Sequence, residues 1–164
     1  MKYTIRISSL SMLLFIFWFS IQSCGSKSEE IVQTYVSGEV RRTHTEINGK
    51  KEGKMTEYYK DGKVKAEMLF ENDLQVGKSI MYYPSGKIQQ VQYFDKGKLN
   101  GGDTTFYESG KPQFLRTFSN GKMDGYIRKW NEHDSIIYEA RYAHDTLVEV
   151  KGQVLRPDPA TEKK

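Results

Sequence analysis

A 24-residue period runs through most of this chain and limits what it can fold into. With Gly53 as register zero, the next units begin at Gly77, Gly101 and Gly125 without a gap. One further period backward gives a degenerate unit at Glu29, so five units span residues 29–148. Five residues after each glycine stand Tyr58, Tyr82, Phe106 and Trp130. Six after stand Tyr59, Tyr83, Tyr107 and, in the last unit, Asn131. Gly62, Gly86 and Gly110 come at position nine, followed directly by Lys63, Lys87 and Lys111. Phe70, Phe94, Phe118 and Tyr142 come at position seventeen. One such unit cannot bury its own apolar face, so stacked neighbours must supply the stability.

Each unit reads as two strands and two turns. Lys60-Asp61-Gly62, Pro84-Ser85-Gly86 and Glu108-Ser109-Gly110 fit a three-residue hairpin loop closed by a left-handed glycine. That loop pairs position six with ten and five with eleven. Alternation then puts position seventeen on the face of position five. The second turns are Asn72-Asp73, Lys96-Gly97, Asn120-Gly121 and His144-Asp145. A bulge at the register-zero glycine is expected to reset the parity beyond them. The expected fold is all-β: a repetitive antiparallel β-meander of hairpins, with about ten short strands from five repeats. Residues 149–164 read as one last strand, Glu149 to Leu155, and a disordered tail opened by Pro157 and Pro159.

The aromatic content of 13% fits strands and argues against an unfolded chain. A net charge of +4 is too small and too dispersed for a nucleic-acid partner. With one cysteine there is no intrachain disulfide and no cysteine-built zinc site.

Lys2 and Arg6 precede an apolar run from Leu10 to Phe19. From Leu10 to Ile21 there are 12 residues, against the roughly 20 that a spanning helix needs. Residues 1–23 therefore read as a secretory signal peptide. Ile21-Gln22-Ser23-Cys24-Gly25 resembles the lipobox of bacterial lipoproteins, with Gln22 departing from the pattern. The resemblance implies cleavage before Cys24, lipidation of Cys24, and a short tether over residues 24–28. It also implies a lipid-anchored location in the cell envelope, most simply the outer membrane.

Gly77-Lys-Ser-Ile-Met-Tyr-Tyr-Pro-Ser-Gly-Lys87, continuing to Phe94-Asp-Lys-Gly-Lys98, resembles the MORN-variant repeat. Chains of such repeats are often grouped with YwqK-type antitoxins of toxin–antitoxin systems. The likeness extends over residues 29–148 and implies the meander just described. It rests on turn glycines and aromatic rings, so it carries no reactive site.

Reactive groups in a usable pattern are few. His133 and His144 occupy opposite turns of one strand, roughly 30 Å apart, too far to share an ion. His44 has no evident partner, and no carboxylate pair stands out for acid–base work. No catalysis, cofactor or metal is expected. Two rows are candidates for binding. Tyr59, Tyr83 and Tyr107 form either a recognition face or a second apolar layer, and are expected to be more exposed than the position-five rings. Lys63, Lys87 and Lys111 serve either solubility or contact with phosphate headgroups. The function expected is that of a non-catalytic envelope lipoprotein binding a protein partner. The alternatives are an antitoxin or immunity protein, and a binder of glycan or lipid headgroups.

Overall fold

A computed structural model describes residues 27–150 and the backbone of residues 153 and 154. The signal peptide, Cys24 and the C-terminal tail expected from the sequence lie outside the described residues. The strands follow chain order in one antiparallel sheet. They are β1 (Ser28–Thr34), β2 (Val40–Ile47), β3 (Lys50–Tyr58), β4 (Val64–Glu71), β5 (Leu74–Tyr82) and β6 (Ile88–Asp95). Then come β7 (Lys98–Leu99), β8 (Gly101–Phe106), β9 (Pro112–Ser119), β10 (Lys122–Trp130), β11 (Ile136–Ala143), β12 (Thr146–Val150) and β13 (Gln153–Val154). β7 and β8 together do the work of one strand, broken at Asn100. The sheet does not close on a single strand from Glu149 to Leu155: β12 begins at Thr146, and β13 returns along it.

The hairpin loops are those the glycines predict. Tyr58 pairs with Val64, Tyr82 with Ile88, Phe106 with Pro112 and Trp130 with Ile136. The Tyr59 amide donates to the Lys63 carbonyl at 2.8 Å, and the Gly62 amide to the Tyr59 carbonyl at 3.0 Å. Gly86 and Gly110 have φ of 85° and 90°. A Cβ added at Gly86 would meet nothing within 4 Å, whereas at Gly125, with φ of 119°, it would sit 3.0 Å from Thr117 Cβ. Gly86→Ala should therefore cost only backbone strain, about 1–2 kcal/mol. Gly125→Ala should cost clearly more, because strain and a backbone-anchored clash add. Chemical denaturation of the two variants checks the order.

The placement of position seventeen differs from expectation. Glu57 pairs with Ala66 while Tyr58 pairs with Val64, so Lys65 stands unopposed. This one-residue bulge puts Val64 and Ala66 on opposite faces. It recurs opposite Tyr82, Phe106 and Trp130. Position five lies on one face, and Phe70, Phe94 and Phe118 lie on the other with Met55. At the register-zero glycines two residues are extra, as between Glu67↔Ile80 and Leu69↔Val76. Two is an even number, so the parity switch belongs to the first-turn bulge and not to the glycine. On the Met55 face Phe94 pairs with Leu99, Phe118 with Met123 and Tyr142 with Leu147.

The best-buried row also lies there. Position two holds Met55, Ser79, Asp103 and Ile127, all less than one-tenth exposed. Their direct partners are Met68, Gln92, Arg116 and Ala140. Within the strands most other side chains are half-buried, so cross-strand pairs rather than a closed core carry the stability.

Candidate functional site

The two sheet margins are built differently. At the second-turn margin, backbone amides of one unit bond to the unit before it. Asp73 N donates to Lys51 O at 3.0 Å, Gly97 N to Gln75 O at 2.8 Å, and Gly121 N to Leu99 O at 2.8 Å. At the first-turn margin, tyrosine does the same work. Tyr35 Oη donates to Tyr58 O at 2.8 Å, Tyr59 to Tyr82 O at 2.6 Å, Tyr83 to Phe106 O at 2.7 Å and Tyr107 to Trp130 O at 2.8 Å.

The register explains why these carbonyls need a donor. β2 pairs with β3 only as far as Arg42↔Glu57, so the Tyr58 carbonyl lies one residue past the last rung. The equivalent last rungs are Ala66↔Met81, Gln90↔Thr105 and Phe114↔Lys129. Each stranded carbonyl is met by the hydroxyl of the preceding unit's position six. Asn131 ends the series by turning inward: its Oδ1 accepts from the amides of His133 and Ser135.

Tyr59, Tyr83 and Tyr107 are thus brought together as a row, but their hydroxyls are engaged within the sheet. Both the position-five and the position-six rings are half-buried. Burial, the Asp61 carboxylate and Tyr35 together hold the Tyr59 phenol above its ordinary range. Sequence reasoning missed this role. The signal was present: position six is strictly Tyr wherever a stranded carbonyl follows, whereas position five varies among Thr, Tyr, Phe and Trp.

The lysine row is also unequal. Lys63 Nζ lies 3.0 Å from Asp61 Oδ2. Lys111 Nζ lies 3.0 Å from Asp134 Oδ2 and donates to Glu132 O. Among the described residues Lys87 makes no such contact.

On the position-five face, beside these lysines, one cleft occurs twice. The first, about 300 Å³, is lined by Lys63, Val64, Glu67, Tyr82 and Gly86. The second, about 470 Å³, is lined by Lys87, Ile88, Phe106, Ser109 and Gly110 among others. Lysine, aliphatic, ring and glycine recur 24 residues apart. Glu67 is held by Lys54 at 2.5 Å and by the Tyr82 hydroxyl at 2.9 Å, and these hydrogen bonds keep its carboxyl below the usual range. One period further on, the Lys111–Asp134 pair spans the corresponding position. No side chain in either cleft is placed as a nucleophile with a base. Among the described residues no group of three metal-ligating side chains converges, and no helix is long and apolar enough to cross a membrane.

No curated protein matches this chain. Among solved structures, it is similar to accessory secretory proteins 1, 2 and 3 of Streptococcus pneumoniae. The identity is 17%, over 62% of this chain and 18% of that one, with a TM-score of 0.38. The chain thus spans under one-fifth of that structure's length. A family model described as the MORN repeat variant matches residues 51–72 and 75–96. Those segments hold β3, β4, β5 and β6, and the units around them share the same turns and the same tyrosine ladder. Within this antiparallel meander, the hairpins of β3 to β6 are similar to the MORN repeat variant.

Proposed function

We propose that this protein is a non-catalytic interaction module, carried on an envelope lipoprotein, that binds a protein partner along the first-turn margin of its sheet. The observation that carries the reading is the repeated cleft. A surface that presents the same lysine, aliphatic and aromatic groups at a fixed spacing suits an elongated ligand rather than a small substrate. What the repeats share is backbone geometry and rings, not reactive groups. The lipoprotein half of the reading rests on the Ile21–Gly25 segment and its single cysteine.

Crosslinking in native membranes, followed by capture of the full chain, tests both halves. The wild-type chain should take up labelled palmitate and enrich a protein partner. Cys24→Ser should lose the label and stay unprocessed. A free thiol at Cys24 in the mature protein would remove the lipoprotein reading. Enrichment of a toxin would turn the module into an antitoxin. Enrichment of glycan or lipid without protein would overturn the protein-partner reading.

A further inference from the structure

The two clefts have a spacing as well as a composition, and the spacing selects among ligand shapes. They are offset by one repeat, which is two strands in the sheet. Strands lie 4.7–4.9 Å apart, so the clefts repeat at about 9.5 Å. A polyproline II helix has three residues per turn and a 3.1 Å rise, so it presents the same face about every 9.3 Å. An extended β-strand presents one every ~6.7 Å, out of step with the clefts. An α-helix presents one every ~5.4 Å, so two turns overshoot to about 10.8 Å.

The cleft walls fit such a polyproline helix. Val64 with Tyr82, and Ile88 with Phe106, form apolar slots, and Ile88 is 40% exposed. Gly86 and Gly110 line the slots and add no side chain to them. Aromatic-walled grooves are the usual receptors of polyproline II segments. Charge sets a second condition: Lys63 and Lys87 border successive clefts. Glu67 is already held by Lys54 and Tyr82, and Lys63 is paired with Asp61, so among the described residues Lys87 is the cleft lysine left without a carboxylate.

We infer that the first-turn margin binds a proline-rich protein segment in the polyproline II conformation, with an apolar residue at every third position and acidic residues beside it. This deepens the interaction-module reading and rests on it.

The test titrates the full chain, in mild detergent, with a labelled peptide of four Leu-Pro-Asp repeats, whose leucines recur every third residue. The control is a block peptide of the same composition, with all its leucines first, then its prolines, then its aspartates. The periodic peptide should bind at least tenfold more tightly than the block. Lys87→Glu and Ile88→Ser should each weaken it at least fivefold, Lys87→Glu with the melting temperature nearly unchanged and Ile88→Ser with only the small drop that losing the Tyr82–Ile88 cross-strand pair brings. Lys122→Glu, at the other margin, should leave it unchanged. Equal binding of the two peptides, or indifference to both cleft variants, overturns the inference. So does cleft-dependent binding of chitohexaose or of phosphatidylglycerol vesicles in place of the peptide. If membrane crosslinking captures a protein partner while the peptide fails, the cleft assignment falls and the module reading stands. If it captures none, the module reading falls by itself.

Discussion

Tyr83→Ala and Phe106→Ala should destabilise the protein to a similar extent, about 3 kcal/mol each, at the low end of the range for truncated aromatics because both rings are half-buried. The two residues belong to one joint. The Tyr83 hydroxyl donates to the Phe106 carbonyl, 23 residues further on, across the boundary between units. Tyr83→Phe keeps the ring and leaves that carbonyl past the last rung of its strand pair without a donor. Its cost should be about 1 kcal/mol, the net value of one hydrogen bond, rising if water cannot reach the carbonyl. Asn131 sits at the equivalent position where the ladder has ended. Asn131→Ala should therefore be felt only in its own turn. Urea denaturation of the four variants checks the series. A Tyr83→Ala protein as stable as the wild type would show that the ladder contributes nothing.

The second large effect is expected at Asp103, only 1% exposed. Its carboxylate accepts from Gln90 Nε2 at 2.6 Å and pairs with the Arg116 guanidinium. Arg116 in turn lies 5.7 Å from the ring centroids of both Phe114 and Phe118, and its Nε is buried without a partner. Asp103→Ala removes the counter-charge and leaves the guanidinium between two rings. Breaking a fully buried pair costs about 3–5 kcal/mol, but the Arg116 side chain is 39% exposed, so about 2–3 kcal/mol is expected. The neighbouring unit supplies the rescue. Ile127 and Ala140 occupy the same two positions and pair directly. The double variant Asp103→Ile with Arg116→Ala should recover most of the loss, because it replaces an ion pair with an apolar pair this sheet already accommodates. Failure of the double variant to exceed Asp103→Ala in stability would contradict this view of the row.

These residues also mark where the sequence was legible. The meander, the three-residue loops and the pairing of position five with eleven followed from glycines whose φ is positive. Turn chemistry is local, and a glycine announces it. The face of position seventeen was not legible. The unopposed residues of the bulge are Lys65, Gln89, Gln113 and Ile137, which share no property that marks an irregularity. Position two was hidden for a related reason. Met55, Ser79, Asp103 and Ile127 have no common hydropathy, and what they share is a place just after a two-residue bulge. The tyrosines were visible as a row, but the cross-unit hydrogen bonds of their hydroxyls were not. Their role depends on where the neighbouring strand pair stops, a long-range fact of register. The clefts were half legible: Lys63 and Lys87 stood out, but their slots need Val64, Ile88 and rings from the following strand.

A partner that reads the first-turn margin should leave its mark on the lysines there. The two margins carry separate lysines: Lys60, Lys63, Lys87 and Lys111 at the first turns, and Lys96, Lys98 and Lys122 among those at the second. Mass spectrometry of the captured complex locates each lysine crosslink on the chain. Partner crosslinks are expected on Lys63 and Lys87, with Lys96, Lys98 and Lys122 unmodified by partner. Crosslinks confined to Lys96, Lys98 and Lys122 would place the partner on the opposite margin and contradict the binding surface proposed for this sheet.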